Sequence, residues 1–354
     1  MKKILIGICG IGNGHINRQA CVIKLLIENG FEVLMATDKN SIPKLKNIFP
    51  NEKIVELTIP WIVSDESGIN FKETLKYYND IDWYKKILES SIKIEEALNG
   101  KPDLVITDYE PNVAQYAYAA GVPLITMEQQ SKFLYLDEIE IENQSIKEEK
   151  YRLNYFFPRY NKKIISSFFP INLNQNDVVQ VPPIISENNK SNKTEDFILV
   201  YLSPHSDSYK YNELLEIIGK IKDKKFKVYS KNFLEYKDKY IFDNIEYSDF
   251  NLNFKKDLSK CSCLVTTAGH QLISEAISLN IPIYAMPLDT YEQNYNALMI
   301  EKYKLGTNEI INEKNIYNFI SKRDKYIKNI KKHKEKYYKE SWKEIFLKEI
   351  NEII

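Results

Sequence analysis

Hydrophobic and polar positions follow one another in blocks that predict strands and helices in regular succession. The apolar runs over 4–9, 31–37 and 102–108 are short and nearly continuous, which is typical of buried parallel strands. Turn-forming or polar residues follow each run, and a helical pattern such as that of 16–29 comes next. The same order begins again at Phe197. The pattern predicts an α/β protein with two Rossmann-like halves.

Breaks in this pattern predict where the domains begin and end. A length of 354 residues suits two domains, and the polar tract over 186–196 is the best candidate for a linker or exposed loop beside their boundary. A Lys-rich helical pattern over 322–354 carries an apolar stripe. We expect one domain over 1–180, a second over 181–330 and a final helix within 331–354.

The stretch over 264–297 carries the clearest signal for ligand binding. It reads as a strand, a turn of small residues, a helix that begins near His270, a second strand and a polar loop. A helix that starts after small residues offers free N–H groups and the positive end of its dipole, which suit a phosphate. Glu275 lies about one turn into this helix, where its carboxylate could accept hydrogen bonds from a ribose.

The loop after the second strand adds polar groups that suit sugar hydroxyls, namely Glu292, Gln293 and Asn296. Phosphate, ribose and sugar are the parts of a nucleotide-sugar, so we predict that ligand here. The alternative is an ordinary βαβ unit whose turn binds nothing. The candidate donor-binding residues of the stretch are Thr267, Ala268, Gly269, His270, Gln271, Glu275, Glu292 and Gln293.

A second candidate site lies in the turn after the first strand, where His15 follows a glycine-rich segment. The glycines at 10, 12 and 14 lack the G-x-G-x-x-G spacing of a dinucleotide site, so that cofactor is not expected. A histidine between a strand and a helix lies at the carboxyl edge of the sheet, where open α/β sheets bind ligands. Imidazole suits the removal of a proton from a hydroxyl. The alternative is a histidine that only packs against or caps the helix.

Two carboxylates, Asp108 and Glu110, are expected at the same edge, because they follow the strand over 102–108. Asp108 could orient His15 and stabilise its charge, as the third group of a catalytic triad does. Either carboxylate could instead be the base itself. A further alternative is that Asp108 merely caps the following helix.

Composition narrows the class of function. Lys and Arg together number 49, as do Asp and Glu, so the formal net charge of zero gives no argument for nucleic-acid binding. Four scattered histidines and the close pair Cys261 and Cys263 do not fit a metal site, and none is expected. No run reaches the roughly 18 apolar residues of a membrane span. The N-terminal apolar run is interpreted as a strand rather than a signal peptide, which favours a cytoplasmic protein.

Three motifs resemble those of GT-B glycosyltransferases. The turn carrying Gly12, Gly14 and His15 resembles their Gly-x-Gly-x-Gly-His element, and Arg18 follows as in a prokaryotic branch with Gly-His-x-x-Arg. The block Asp108-Tyr109-Glu110-Pro111 is similar to one in the same branch. The donor signature is matched by Ala268-Gly269, Glu275-Ala276, Pro282, Pro287, Glu292-Gln293 and Asn296-Ala297. The chain looks like a member of the superfamily of monogalactosyldiacylglycerol synthases and lipid II-forming N-acetylglucosaminyltransferases.

The resemblance implies a fold and a reaction. The fold would be GT-B, with two Rossmann-like domains facing across a cleft and a C-terminal helix that crosses back to the first domain. The reaction would be inverting, metal-independent transfer of a sugar from a UDP- or dTDP-sugar to an acceptor hydroxyl, with His15 as base and Asp108 as its partner. By the same resemblance, Gly14, Ser203 and His205 lie near the donor phosphates, and Phe250 lies near the nucleotide base.

One departure from the family pattern affects the phosphate site. Many relatives have His-Gly-Gly where this chain has Thr267-Ala268-Gly269, so their histidine contact to the diphosphate is missing unless His270 substitutes for it. The acceptor class stays open among a glycolipid, a cell-surface glycan and a small metabolite.

Two alternative functions remain on the same fold. One is a nucleotide-sugar 2-epimerase, which needs acid and base groups around the donor sugar, where Glu292 and His205 are the candidates. The other is a non-catalytic nucleotide-sugar-binding subunit that works with a partner. The basic, aromatic C-terminal pattern is also able to touch an anionic membrane, so peripheral contact with the inner face of the cell membrane is a further alternative.

Overall fold

The computed structural model consists of two compact units, one formed by Met1–Ser186 with Glu340–Ile354 (unit 1) and the other by Glu187–Lys339 (unit 2). The residues that the structure describes are 1–10, 13–58, 62–65, 68–136, 144–186, 194–203, 209–250, 253–288 and 290–354.

Unit 1 is built on a parallel sheet with the strand order β3-β2-β1-β6-β7-β8-β9. Its strands are β1 (Lys3–Ile8), β2 (Glu32–Thr37), β3 (Lys53–Glu56), the short antiparallel pair β4 (Ser64–Asp65) and β5 (Gly68–Ile69), β6 (Leu104–Asp108), β7 (Leu124–Glu128), β8 (Lys162–Ser166) and β9 (Val178–Val181). Its helices are α1 (Asn13–Glu28), α2 (Ile42–Ile48), α3 (Phe71–Asp80), α4 (Trp83–Leu98), α5 (Pro111–Ala120), a 3-10 turn (Gln130–Leu134), α6 (Gln144–Phe156) and α14 (Trp342–Asn351).

Unit 2 repeats this architecture with a parallel sheet of order β12-β11-β10-β13-β14-β15. Its strands are β10 (Ile198–Tyr201), β11 (Phe226–Tyr229), β12 (Ile245–Ser248), β13 (Cys263–Thr266), β14 (Ile283–Ala285) and β15 (Gly306–Thr307). Its helices are α7 (Tyr209–Lys220), α8 (Phe233–Lys239), α9 (Asn253–Lys260), α10 (His270–Ser278), α11 (Tyr291–Lys302), α12 (Glu313–Ser321) and α13 (Arg323–Tyr337). Both sheets match the predicted α/β architecture.

Each sheet has a topological switch point. The chain winds from β1 outward to β3 on one side and from β6 outward on the other, and β10 and β13 play the same parts in unit 2. Two neighbouring turns therefore leave the sheet in opposite directions and open a crevice at the carboxyl edge, where ligands bind in such sheets. In unit 1 this edge carries His15 and Asp108, and in unit 2 it carries Ser203 and the turn over 266–269.

Close packing of helix α5 on the unit 1 sheet depends on the absence of a side chain at Gly7. A Cβ atom built there would lie 2.3 Å from Cγ2 of Val113, which is nearer than van der Waals contact allows. The strand residues around Gly7 are fully buried, among them Ile6 and Ile8. The sheet edge that carries Asp108 is thus backed by a tightly packed core.

The Lys-rich C-terminal pattern divides into two helices that belong to different units. In α13, Nζ of Lys334 donates to the carbonyl oxygen of Ser278 at 2.7 Å within unit 2. In α14, Glu349 forms an ion pair with Lys162 of unit 1 at 2.6 Å. Phe346 of α14 is fully buried in the core of unit 1. The expected packing of the C-terminal helix on the first domain is confirmed for α14.

Helix α14 starts at a capping box. The side chain of Ser341 accepts from the backbone of the first turn, and the carboxylate of Glu344 accepts from the backbone N–H of Ser341. Within the described part of the chain, no helix is both long enough and apolar enough to cross a membrane.

Replacement of Phe346 by alanine should destabilise unit 1, although the residue is distant in sequence from the sheet it covers. Loss of a fully buried phenylalanine costs about 3–5 kcal/mol in the free energy of unfolding. Urea denaturation combined with hydrogen exchange of the β1 and β6 amides measures this loss. Phe71→Ala, at a position that is 66% exposed, is the control and should change stability by about 0.5 kcal/mol or less. Equal effects of the two substitutions would contradict the assignment of α14 to the unit 1 core.

Candidate active site

His15 and Asp108 meet at the switch point of unit 1. Ile8 pairs with Asp108 in the parallel register of β1 and β6, and the Cys9 N–H continues this ladder to the Asp108 carbonyl at 3.0 Å. Helix α1 begins directly afterwards and places His15 in its first turn. Nδ1 of His15 lies 2.7 Å from Oδ1 of Asp108.

This contact fixes the tautomer of a neutral imidazole. An ionised carboxylate only accepts hydrogen bonds, so the shorter contact, to Asp108, assigns the proton to Nδ1 of His15. Nη2 of Arg18 lies 3.0 Å from the same nitrogen and donates instead to Oδ1 of Asp108 at 2.6 Å. The lone pair then lies on Nε2, which is the nitrogen available to take a proton from another molecule. His15 is 8% exposed and Asp108 is completely buried.

Two further residues of α1 bind the same carboxylate, and the sequence reasoning did not assign them a contact. Arg18 donates from Nε to Oδ2 of Asp108 at 2.9 Å and from Nη2 to Oδ1 at 2.6 Å. Gln19 donates from Nε2 to Oδ2 at 2.9 Å. Helical spacing is the signal that could have found Arg18, because it lies one turn after His15 and on the same helix face.

Asp108 is ionised in this environment. Burial alone would raise the pKa of Asp108, but the charge of Arg18 and the contact with His15 lower it to about 2. The buried carboxylate is thus held as an anion by the groups that it orients.

Glu110 has a different role from Asp108. Its carboxylate accepts from the backbone N–H groups of Asn112 at 3.1 Å and Val113 at 2.8 Å, which makes it the N-cap of α5. The alternative in which Asp108 is only a helix cap is therefore wrong, because Glu110 supplies that cap. Burial raises the pKa of Glu110 to about 7, although the two backbone bonds oppose this rise.

Tyr109 turns the chain between these two carboxylates. Its φ angle of 56° lies in the left-handed region, which is uncommon for a residue with a side chain. The Tyr109 ring is stacked near the His15 ring with centroids 6.3 Å apart. Strained backbone of this kind is concentrated at functional sites.

The corresponding turn in unit 2 connects β13 to α10. Gly269 is the N-cap residue and His270 the first residue of the helix, as the sequence predicted. Ala268, rather than Gly269, adopts the left-handed conformation, with a φ angle of 65°. A Cβ atom on Gly269 would meet nothing within 4 Å, so there is open space beside the start of the helix. No side chain caps α10. A helix start beside open space is the kind of place that suits a phosphate, because the positive end of the helix dipole lies there.

The side chain of Asn296 binds the backbone of this turn. Its Nδ2 donates to the carbonyl oxygen of Ala268 at 3.0 Å, and the side chain is completely buried. The amide nitrogen of Asn296 is therefore used inside the protein, and the contact of this residue with a sugar hydroxyl stays a prediction. Gln293 is likewise engaged, because its Oε1 accepts from the Leu288 N–H at 2.9 Å.

Aromatic and acidic side chains surround the rest of the unit 2 edge. The Phe250 ring lies 5.2 Å from Tyr201 and 6.2 Å from Phe254, measured between centroids. Glu275, one turn into α10, is only 6% exposed. Burial raises the pKa of Glu275, while Lys255 and a hydrogen bond from Gln271 lower it. The same carboxylate contributes, after burial, to the raised pKa of Tyr201. Glu275 and the rings therefore belong to one cluster.

The remaining predicted residues lie around these two edges or outside the described chain. Gly14 is in the first turn of α1 and Ser203 follows β10, while Glu292 is in the first turn of α11. Thr267 is buried, and its side chain is 1% exposed. His270 is also buried, at 4%. His205 lies outside the described residues. In the described part of the chain, no group of three or more His, Cys, Asp or Glu side chains is arranged to hold a metal ion.

Comparison with known proteins decides the class of protein. Residues 2–323 match the protein family described as Glycosyl transferase family 1. The chain is a member of this glycosyltransferase family. Membership gives the reaction class, which is transfer of a glycosyl group.

A curated relative is similar to this glycosyltransferase over part of its length. It is the UDP-N-acetylglucosamine--N-acetylmuramyl-(pentapeptide) pyrophosphoryl-undecaprenol N-acetylglucosamine transferase of Pelagibacter ubique, with 30% identity over 230 residues. The alignment covers 57% of the chain and 64% of the relative, so the chain spans somewhat less than two thirds of the relative's length.

Solved structures confirm the GT-B fold of the glycosyltransferase. The calicheamicin glycosyltransferase CalG4 has a TM-score of 0.69 and 13% identity, with 99% of this chain and 98% of that chain covered. The Arabidopsis thaliana UGT89C1 complexed with quercetin has a TM-score of 0.70 and 12% identity, with 99% of each chain covered. At these identities the likeness concerns the fold alone.

Glu110 should make the stability of the glycosyltransferase depend on pH. A carboxyl whose pKa rises from 4.5 to about 7 on folding stabilises the native state fully below pH 4.5, and this stabilisation is lost as the pH rises to about 7. Glu110→Gln keeps a cap oxygen but does not titrate, so the difference in unfolding free energy between variant and native protein should change over that interval by on the order of 3 kcal/mol. Urea titrations at pH 4.5 and pH 7.5 measure it. A difference that does not change with pH would contradict the role of burial.

Asn296 should matter for donor binding through the backbone turn rather than through the sugar. Asn296→Ala leaves the Ala268 carbonyl without its donor and loosens the turn, at a cost of about 1–3 kcal/mol in stability. We expect the dissociation constant of the best-binding nucleotide, measured by calorimetry, to rise about tenfold, which corresponds to about 1.4 kcal/mol.

The matched control for this substitution is Asn294→Ala on the same helix, where the side chain is only half-buried. That variant should bind the nucleotide as the native protein does. Equal binding by the two variants would show that the hydrogen bond to Ala268 has no part in forming the donor site.

Proposed function

We propose that this glycosyltransferase moves a sugar from a UDP- or dTDP-sugar to an acceptor hydroxyl with inversion at the anomeric carbon and without a metal ion. The observation that carries the proposal is the contact of 2.7 Å between His15 and the buried Asp108 at the switch point of unit 1. A histidine in this position has a free Nε2 for a proton and an anion that stabilises the charge it gains.

The proposed reaction is a single displacement. Nε2 of His15 removes the proton from the acceptor hydroxyl as the acceptor oxygen attacks the anomeric carbon of the donor sugar. The bond between that carbon and the diphosphate oxygen breaks, and the electron pair leaves with the nucleoside diphosphate. Attack from the face opposite the leaving group inverts the configuration. The proton ends on His15 and is released to solvent afterwards.

Unit 2 is proposed to hold the donor. The N–H groups at the start of α10 would bind the diphosphate, whose negative charge grows as the bond breaks, and so take the part that a metal ion has in other enzymes. Thr267, His270, Gln271 and Ser203 belong to this phosphate region in our proposal. The absence of the usual histidine at position 267 leaves these contacts mainly to the backbone.

The remaining donor contacts follow from the side chains around the phosphate region. Phe250 would stack its aromatic face against the nucleotide base. Its ring belongs to a cluster with Tyr201 and Phe254. Glu275 would accept hydrogen bonds from the ribose hydroxyls. Glu292 is partly exposed in the first turn of α11 and would contact the sugar, with Gln293 shaping the loop beside it.

The similarity to the Pelagibacter ubique transferase supports an acceptor in glycolipid or cell-surface glycan synthesis and a cytoplasmic enzyme with peripheral membrane contact. A small metabolite as acceptor is the alternative on the same site.

The first experiment is a donor screen followed by His15→Ala. A nucleotide-sugar that binds the native state raises the unfolding temperature by mass action. At a concentration 100 times the dissociation constant, it increases the free energy of unfolding by about 2.7 kcal/mol. With that donor and an accepted hydroxyl compound, His15→Ala should transfer on the order of 10²–10⁴-fold more slowly, because the general base is missing. Donor binding should remain, since His15 lies in unit 1.

His333→Gln is the control for removal of a buried histidine, because His333 packs against Tyr303 of unit 2, far in sequence from the proposed chemistry. It should transfer at the native rate. Native turnover by His15→Ala would overturn the assignment of the base. Conversion of UDP-N-acetylglucosamine to its 2-epimer without any acceptor would favour the epimerase instead, and donor binding without transfer to any acceptor would favour a binding subunit.

A further inference from the structure

Arg18 is a third group in the His15 site, in addition to the pair formed by the histidine and the carboxylate of Asp108. Its side chain is almost completely buried, at 3% exposure, and donates two hydrogen bonds of 2.9 and 2.6 Å to Asp108. This fork fits both oxygens of one carboxylate, which a lysine could not do. The same Nη2 lies 3.0 Å from Nδ1 of His15. Arg18 and His15 therefore share one anion.

The sharing changes the charge balance of the site. In a pair of histidine and aspartate, the carboxylate offsets the positive charge that the imidazole gains on taking a proton. Here Arg18 already offsets the negative charge of Asp108. When His15 takes a proton, two cations then face one anion in a buried place, and like charges at this distance repel. Arg18 thus works against the protonation of His15.

Other charged groups near His15 act less directly. Tyr109 stacks near the imidazole, and it interacts in turn with Glu149 and Arg152 of α6, whose charges are opposite. Cys9 at the end of β1 also lies near Tyr109. At the start of α1, Lys44 of α2 donates to the side chain of Asn13. Asp108 and Arg18 contact the imidazole nitrogen itself, at 2.7 and 3.0 Å, so their charges should dominate.

We infer that Arg18 is a positioning residue that neutralises Asp108 and thereby keeps His15 free of a proton until the acceptor hydroxyl delivers one. The inference rests on the proposed role of His15 as base. A base that already carries a proton cannot take another, so a cation beside it extends the pH range over which the enzyme is active toward the acid side. Asp108 still sets the tautomer, because its bond to Nδ1 is retained.

Four proteins test this inference by NMR titration of the imidazole of His15. The chain has four histidines, and the signal that is absent in His15→Gln identifies the one at position 15. In Arg18→Met, His15 should take up its proton at a pH higher than in the native protein by on the order of one unit, because the cation is gone. In Asp108→Asn, it should do so at a lower pH. In the double variant, which lacks both charges, the midpoint should return toward the native value.

This set remains decisive if one variant does not fold. Arg18→Met leaves Asp108 buried without its counterion, which is the costliest case. If it is unfolded, the comparison between Asp108→Asn and the double variant still isolates the charge of Arg18. Lys24→Met removes an exposed cation from the same helix and should not move the His15 midpoint. Midpoints that are equal in Asp108→Asn and the double variant, or a shift to lower pH in Arg18→Met, would overturn the inference.

The activity assay separates this inference from the proposed function. The acid limb of the pH profile of kcat/KM should move to higher pH in Arg18→Met, a change that a purely structural loss of stability would not produce. Arg18→Lys keeps the charge but not the fork, so its limb should stay near the native position while kcat falls. If His15→Ala transfers normally but the NMR shifts occur, the proposed base is wrong and the charge balance stands. If His15→Ala is inactive and the shifts are absent, only the role of Arg18 is wrong.

Discussion

The carboxylate of Asp108 is the point on which the unit 1 site depends. It ends a central strand, is completely buried and accepts hydrogen bonds from three side chains of one helix, namely His15, Arg18 and Gln19. A buried anion needs such partners, and they in turn hold the first turns of α1 against the end of β6. The energetic requirement of one group thus fixes the position of the imidazole. The imidazole is thus held in one orientation by groups within unit 1.

Much of this arrangement could be predicted from the sequence. The succession of apolar runs and helical patterns indicated two parallel sheets. Because parallel strands end at one edge of a sheet, His15 and Asp108 were expected to lie close together. The capping box at Ser341 and the start of α10 at His270 also follow local rules that the sequence displays. These features depend on residues near one another in the chain or on a regular period.

Other features could not be predicted, because they depend on contacts between residues distant in sequence. The backbone contacts of Asn296 and Gln293 inside unit 2 were not expected, because both residues are polar and follow a strand, which favoured sugar ligands. The sequence offered both Asp108 and Glu110 as candidate bases. The structure distinguishes them, because the Glu110 carboxylate accepts hydrogen bonds from the first N–H groups of α5 and is its N-cap. The left-handed residue of the turn over 266–269 is Ala268 and not its glycine neighbour, and Asn296 binds the carbonyl oxygen of that residue.

The assignment of α14 to unit 1 has a consequence for how the chain acquires its structure during synthesis. Unit 1 is discontinuous, and all of unit 2 is translated between its sheet and the helix that supplies Phe346 to its core. A ribosome adds roughly 5–20 residues per second, so the sheet of unit 1 waits many seconds for that helix while unit 2 can already fold as a continuous segment. The part of the chain that begins first is therefore completed last. During that interval the apolar surface later covered by α14 is open to water or to a chaperone.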